Sequence, residues 1–417
     1  MVLEPTDRIG DCSLYLSDCL QVLRQLPENS LEACVTDPPA GISFMNKAFD
    51  TFRDRAAFIT WLTEIMAEVY RVLKPGAHAL VWALPRTSHW TAMACEDAGF
   101  EVRDSILHIF SSGYPKSQNI AKAIDQHLNA DPVVIGYRDT GIGNGGTGNN
   151  FLTEASRQRL VPVTAPATDA AKQWDGYGSA LSPSHETWWL CRKPLSEPTL
   201  AQNVLRWGVG GINVDATRIP MQQTDREQYL ATRASFARKA GEKGTGWKNS
   251  SPIQSFDEQV ANSEKGRWPK NTILDGSDTV AAQFPDAPGQ LAPNGMEPYR
   301  SGNVYGAPSG NRRGSVPRNE TETSAARFYY AAKASKADRG AYNSHPTCKN
   351  TALMQYLIRL ITPAGGTILD PFAGSGSTGK AALLEGKKFL GIEREAEYYA
   401  IMVRRLQEAA AQPMLFP

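Results

Sequence analysis

The chain has 417 residues, enough for two domains or for one core interrupted by large insertions. Its 44 lysines and arginines nearly cancel 43 aspartates and glutamates, so a polyanionic partner would have to be served by local patches rather than by net charge. The six cysteines (Cys12, Cys19, Cys34, Cys95, Cys191, Cys348) are scattered without the close spacing of zinc sites or small disulfide frameworks, and reduced thiols are expected.

The first residues, MVLEPTDRIG, place acid and proline where a signal peptide has a basic start and an apolar core. No run approaches about eighteen uninterrupted apolar residues, so no membrane segment and a cytoplasmic location are expected. Short apolar strands then alternate with amphipathic helices, the pattern of a parallel sheet with crossover helices. Ser13 to Leu16 reads as a strand, Asp18 to Leu26 as a helix ended by Pro27, and Leu31 to Thr36 as a strand entering the turn Asp37-Pro38-Pro39. A helix from Arg55 to Leu73 stops at Lys74-Pro75-Gly76, His78 to Leu84 is the next strand, Thr87 to Ala98 a helix, and Phe100 to Phe110 a strand. Gly113 to Tyr177 loosens into a polar, glycine-rich stretch, and Ser184 to Pro194 recovers a strand. Residues 195 to 342 are rich in Gly, Asn, Ser, Pro and Arg and are too long for a plain loop, so they read as an inserted domain of irregular structure. Regular elements return with a helix from Thr351 to Ile361, a strand from Thr367 to Asp370, a glycine turn, a helix to Glu385, and a strand from Phe389 to Glu393.

The segment TILDPFAGSGSTG, residues 367 to 379, sets a strand, a glycine turn and a helix start in succession. In a doubly wound sheet this is where a cofactor meets the backbone at a strand's carboxyl end. Gly374 and Gly376 remove side chains where a ligand has to come close. The next strand ends at Glu393, an acid able to accept two hydrogen bonds from ribose hydroxyls. A competing match, Gly141-x-Gly143-x-x-Gly146, lacks a strand before it and a helix after it, and reads as a flexible loop.

With Asp-Pro-Pro near the start and FAGSG near the end, the chain resembles the beta-class amino DNA methyltransferases, of which adenine-N6 and cytosine-N4 enzymes are the two kinds. Their catalytic Asp-Pro-Pro-aromatic motif precedes the target-recognition region, and the FxGxG motif comes last. The segments SGYPKSQN, WDGYGSALSPSHETWWLCRKPL, RFYYAAKASKADRG and HPTCKNTALMQYLIRLITPAGG are similar to the phage and prophage members. The resemblance implies an α/β fold: a circularly permuted class I, S-adenosylmethionine-dependent methyltransferase with a Rossmann-like sheet of seven strands. It further implies a catalytic half over residues 11–194 with a polar insertion at about 115–177, a target-recognition region over 195–342, and a cofactor half over 343–410.

By the same pattern Phe372, Ala373, Gly374, Ser375 and Gly376 lie along the methionine moiety of S-adenosylmethionine, Glu393 holds the ribose, and Asp370 and Asp37 are also expected to contact the cofactor. Asp18 and the adjoining Cys19 approach the adenine ring, although Ser17 or Asp18 also suits a helix cap. His345, Thr347 and Lys349 match an HPTxKP segment beside the cofactor, with Asn350 in place of the second proline, so the backbone path there is expected to differ.

An exocyclic amine is a poor nucleophile because its lone pair is delocalised into the ring. A carboxylate at Asp37 can accept one amine hydrogen and the Pro38 carbonyl the other, favouring the tetrahedral nitrogen; Pro38 and Pro39 fix the turn that presents them. The base has to be swung out of its stack, and the aromatic residue normal after the second proline recovers part of that cost. Here that residue is Ala40. Either another ring fills the pocket, or alanine replaces a tyrosine and impairs turnover; the flanking active pattern favours the second. Phe44, four residues on, reads as core.

Aspartate at the first motif position favours adenine N6 over cytosine N4. Arg312, Arg313 and Arg318 in GNRRGSVPRNE, then Arg327, Lys333, Lys336 and Arg339 beside Tyr329 and Tyr330, supply charge and rings for double-stranded DNA. A second basic set, Arg233, Arg238, Lys239, Lys243 and Lys248, surrounds Trp247. The expectation is a DNA adenine-N6 methyltransferase using S-adenosylmethionine and no metal, monomeric or homodimeric, with a cytosine-N4 DNA methyltransferase and a silent DNA-binding protein of the same fold as the two rivals.

Overall fold

The structure, a computed structural model, describes residues 4–43, 48–111, 113, 117–139, 160–221, 223, 226, 264–285, 292–298, 311–316, 324–333, 338, 340 and 342–411. In chain order its strands are β1 (Asp7–Ile9), β2 (Cys12–Leu16), β3 (Leu31–Thr36), β4 (Leu73–Ala83), β5 (Glu101–Ile109), β6 (Val133–Asp139), β7 (Leu160–Ala165), β8 (His185–Arg192), β9 (Thr272–Leu274), β10 (Ala292–Pro298), β11 (Asn311–Val316), β12 (Tyr330–Ala331), β13 (Thr367–Asp370) and β14 (Lys388–Glu393).

Ten of these strands form one sheet in the order β1-β2-β14-β13-β3-β4-β8-β5-β9-β12. The strands from β2 to β4 run parallel, and β8 lies antiparallel between β4 and β5. The last two strands of the chain therefore sit between its first ones. Ile368 and Leu369 of β13 pair with Ala33 and Cys34 of β3, while Gly391 of β14 pairs with Leu14 of β2.

Alternation along each strand sends successive side chains to opposite faces. Leu14, Ala33, Val35, Ile368 and Phe389 pack on one face with Leu357, Met402 and Leu406. Tyr15, Cys34, Leu369, Leu390 and Ile392 pack on the other with Phe58, Leu62, Met66 and Val69. Burying both faces makes the strands nearly continuous in apolar character, as parallel sheets require.

The helix Arg55–Val72 starts where Asp54 accepts the Ala57 amide at 2.8 Å. Its buried Phe58, Leu62, Ile65, Met66, Val69 and Val72 recur at helical spacing. Lys74-Pro75-Gly76 does end this helix, but β4 already begins at Leu73: Leu31 pairs with Leu73 and Ala33 with His78, so four residues of β4 bulge against Glu32 alone.

The sheet corrects three sequence expectations. It has ten strands, because β1 extends one edge as a hairpin and β9 and β12 cover the other. Since β9 and β12 come from the 195–342 stretch, part of that stretch belongs to the core; pairing removes the open edge that β5 would otherwise present. The polar stretch after Gly113 holds regular elements: helix Ile120–His127, the hairpin of β6 and β7, and helix Asp169–Lys172. Asn119 and Thr168 cap these helices, and Asp125 accepts the Ala167 and Thr168 amides, so polar capping rather than an apolar core organises this part. Among the described residues no helix is long and apolar enough to cross a membrane.

Candidate active site

The carboxyl ends of β2, β14, β13, β3, β4 and β5, with the start of the reversed β8, share one edge of the sheet. A cavity of about 1100 Å³ opens along that edge, lined by Asp18, Asp37, Glu186, Lys349, Asp370 and Glu393 among others. The two motifs from opposite ends of the chain thus face one space.

At the cofactor end, Gly374 donates its amide to Glu393 Oε2 at 2.8 Å, and Glu395 donates to Oε1 at 2.7 Å. Two backbone donors fix this acid where the strand ends, although burial raises its pKa. Asp18 caps the helix Cys19–Leu23 through the Leu20 amide at 2.9 Å, as its sequence position suggests, and also lines the cavity. Cys19 lines the cavity as well; burial, then the Asp18 charge, pushes its thiol up to about 12, which excludes a thiolate near neutral pH.

Gly374 and Gly376 both have positive φ, +51° and +76°. Protein neighbours by themselves already require small residues at both. A Cβ on Gly374 would meet His345 Nε2 at 2.9 Å, and one on Gly376 would meet Met402 Cγ at 2.7 Å. Ser375 is held from below: Arg405, buried in helix Ala396–Ala410, donates to the Ser375 carbonyl at 2.6 Å, Ser375 Oγ at 3.0 Å, Ser377 Oγ at 3.2 Å and the Asp338 carbonyl at 2.8 Å. Phe372 packs against Trp61 at 5.6 Å, and Ala373 donates its amide to Ile392.

Asp370, expected beside the cofactor, does line the cavity. Its oxygens, however, are taken by Thr36 Oγ1 at 2.7 Å, Thr378 Oγ1 at 2.6 Å and the Phe372 amide at 3.1 Å. His345 stacks edge-on against Tyr398 at 4.4 Å, with Nδ1 2.6 Å from the Thr347 carbonyl. Asn350, in place of the family's proline, caps helix Thr351–Ile361 by accepting the Ala352 amide at 2.8 Å and donating to the Ala332 carbonyl. That cap explains the substitution: a proline has no side-chain acceptor to offer there.

At the acceptor end, Pro38, Pro39 and Ala40 carry the chain over the cavity. Asp50, which no sequence motif singles out, grips the turn by accepting the Gly41 amide at 2.6 Å and the Ile42 amide at 3.2 Å. Thr87 Oγ1 donates to the Ala40 carbonyl at 2.8 Å. The Lys349 ammonium, expected beside the cofactor, lies 3.1 Å from Asp37 Oδ2 and 3.3 Å from Glu186 Oε2. Trp82, Phe110 and His185 line the same end with their rings. Glu186 and His108 lay in plain sight in the sequence, but only the pairing of β5 with β8 brings them together.

Several candidates for DNA contact fall elsewhere. Arg312 and Arg313 lie on β11 of a separate two-stranded sheet, and Lys333 is exposed. Tyr330 is stacked on Tyr356 at 4.1 Å and Tyr329 packs on Phe284, so these rings serve the fold rather than a nucleobase. Phe44, Arg318, Lys336, Arg339, the loop at 141–146 and the basic set around Trp247 lie outside the described residues.

The lining fits S-adenosylmethionine, the donor implied by the resemblance. An acid ends β14 for ribose hydroxyls, apolar Leu20, Phe372 and Ile392 offer a wall for an adenine, and the carboxylates of Asp18, Asp37 and Glu393 suit a sulfonium cation better than a phosphate. Buried Lys349 is already engaged, and the other cations of the lining, Arg86 and Arg394, are exposed.

A family model described as DNA methylase, of the N6/N4 methyltransferases, matches residues 31–404. DNA adenine methyltransferase YhdJ of Escherichia coli (strain K12) is 45% identical over 69 residues, 16% of this chain and 24% of that protein. Type II methyltransferase M2.DpnII of Streptococcus pneumoniae is 46% identical over 63 residues, 15% and 24% of the two chains. Type II methyltransferase M.ScaI of Streptomyces caespitosus is 41% identical over 83 residues, 20% and 26%. The matched segments thus span about a quarter of these relatives' lengths. The family match runs through both motifs and nearly the whole sheet, and the chain belongs to the N6/N4 DNA methylase family.

Proposed function

We propose that the chain transfers a methyl group from S-adenosylmethionine to N6 of adenine in double-stranded DNA, acting on a base swung out of its stack. The observation that carries this reading is the meeting of Asp37-Pro38 and the Gly374–Glu393 pair in one cavity. Asp37 and the Pro38 carbonyl accept the two amine hydrogens, which turns the nitrogen lone pair out of conjugation and toward the donor. Bound S-adenosylmethionine supplies an electrophilic methyl group, so neither a metal nor a covalent intermediate is needed.

Adenine is favoured over cytosine by the aspartate at the first motif position, and the name of the matching Escherichia coli protein agrees. The order of motifs supports a circularly permuted methyltransferase sheet: residues 11–194 form the catalytic half, 343–410 the cofactor half, and 195–342 reads target DNA around β11 and Lys333. A cytoplasmic setting accords with a DNA substrate. At Ala40 the base loses its usual stacking partner, and Phe110, which follows β5 and lines the same cavity, is the ring we assign to share that work. The alanine therefore reads as a change that impairs base capture while leaving the amine acceptors in place.

The test is direct. The chain is incubated with methyl-labelled donor and random-sequence duplex DNA, and the DNA is digested to nucleosides. Label in N6-methyladenine is expected; label in N4-methylcytosine would overturn the base assignment.

A further inference from the structure

Four side chains from four segments meet beside Asp37. Lys349 Nζ, between Asp37 Oδ2 and Glu186 Oε2, also lies 3.9 Å from the centroid of the Trp82 ring. Glu186 Oε2 accepts Trp82 Nε1 at 2.6 Å, and Glu186 Oε1 is 2.9 Å from His108 Nδ1. The Lys349, Glu186 and His108 side chains are only 12%, 14% and 10% exposed. The amine-acceptor chemistry uses Asp37 and has no evident need of a second buried carboxylate. Burying one is costly unless it is fully paired, so its presence calls for a role.

The geometry suggests that role. Asp37 lines the cavity, and among the described residues its only donor is Lys349, which meets Oδ2 and leaves Oδ1 without a protein donor. A lysine on a flexible stem beside a lone carboxylate would settle across both oxygens and compete with the substrate amine. Glu186, itself anchored by Trp82 and His108, draws the ammonium to the far side. It also adds a second carboxylate beside the Asp–Lys pair, and negative charge there favours the positive charge that builds on the amine nitrogen as it attacks.

We propose that Glu186 is a positioning residue for methyl transfer: by sharing the Lys349 ammonium with Asp37, it holds the Asp37 carboxylate oriented and open to the amine. The inference rests on reading Asp37 as the amine acceptor. The charged or titratable groups facing Asp37 are Lys349 from the segment before helix Thr351–Ile361, Glu186 from β8 and Asp370 from the end of β13, with His108 of β5 acting through Glu186. Burial raises the Asp37 pKa, Lys349 pulls it down and Glu186 pushes it up. Burial also works against an ionised Glu186, but Lys349, His108 and Trp82 outweigh it and hold this carboxyl at about 2.

The experiment reads Asp37 with and without turnover. In the first arm, carboxyl-carbon NMR of the full chain, free of donor and DNA, follows the Asp37 titration, assigned by its loss in Asp37→Asn. Glu186→Gln should lower the Asp37 midpoint and Lys349→Met should raise it, opposite displacements that general destabilisation does not produce. In the second arm, the acid limb of the methyl-transfer pH profile should move in the same two directions. At the plateau kcat for Glu186→Gln should fall roughly tenfold to a hundredfold with KM nearly unchanged, as for a misplaced catalytic group, and Glu186→Asp should recover part of the loss. Melting curves confirm that each variant is folded. An Asp37 midpoint unmoved by Glu186→Gln overturns the inference whatever the activity. A parent chain that methylates no base overturns the functional reading instead, and the titration alone then decides whether Glu186 positions Asp37.

Discussion

The Asp370 carboxylate accepts the Thr36 hydroxyl at 2.7 Å across 334 residues of sequence. With Thr378 and the Phe372 amide on the same acid, the strand leading into Asp37 is fastened to the cofactor turn. Burial drives Asp370 up to about 7 against the pull of Thr378, Thr36 and the Phe372 amide, with Asp37 raising it further. Because the folded value lies above the ordinary 3.8, the folded protein retains a proton that the unfolded chain releases. Its contribution is present at acid pH and is lost as pH rises from about 4 to about 7. Asp370→Asn should remove this slope, so that the melting temperature of the parent falls relative to the variant across that window. A constant difference between the two melting curves from acid to neutral pH would contradict it.

Gly376→Ala should destabilise by both strain and overlap. The left-handed backbone costs about 1–2 kcal/mol with a side chain present, and overpacking against Met402 and Leu406 about 1–3 kcal/mol more. Gly386, at φ +60° with open space where a Cβ would stand, should show only the backbone part. Thermal denaturation of the two alanine variants checks the ranking, and equal losses would refute the packing argument.

Arg405→Met removes the buried donor from the Ser375 carbonyl, at about 1–3 kcal/mol if that group is left unsatisfied. Because Ser375 belongs to the cofactor turn, calorimetry should show donor affinity reduced roughly tenfold, ~1.4 kcal/mol. Arg405→Lys should recover less than half of the loss in free energy, since one ammonium cannot match the planar fork that reaches four oxygens.

Restoring a ring next to Pro39 should recover base capture. Ala40→Tyr is expected to raise kcat/KM on duplex DNA by the worth of one stacking contact, on the order of 1–3 kcal/mol. Phe110→Ala should cost more in the parent than in the Ala40→Tyr background, because one ring can stand in for the other. Kinetics of the four proteins measure the coupling, and strictly additive effects would exclude a shared base.

Much of the sheet was legible because alternation and turn residues are local signals. The strand Leu31–Thr36 and the helix Thr351–Ile361 fall where their patterns end, at Asp37-Pro38 and at the Asn350 cap. The start of β4 was hidden because Pro75 and Gly76 read as punctuation, whereas pairing with β3 and β8 carries the strand past them. Both halves of the site were visible as motifs, yet the groups that hold them were not. Glu186 and His108 are 78 residues apart, and Asp50 and Arg405 act through backbone groups that no motif records. The sequence pattern ties Gly376 to a ligand, and the packing of helix Ala396–Ala410 against it is a second demand for glycine that no motif records.

On the proposed reading, Asp37 acts mainly by accepting the amine during transfer, and its part in holding the donor is the smaller one. Single-turnover methylation of duplex DNA by the parent chain and by Asp37→Ala, with donor affinity measured by calorimetry on both, isolates that role. Comparable donor affinity is expected, with a transfer rate at least about a hundredfold lower in the variant, the scale of a lost transition-state contact. Transfer at the parent's rate by Asp37→Ala would remove Asp37 from the reaction.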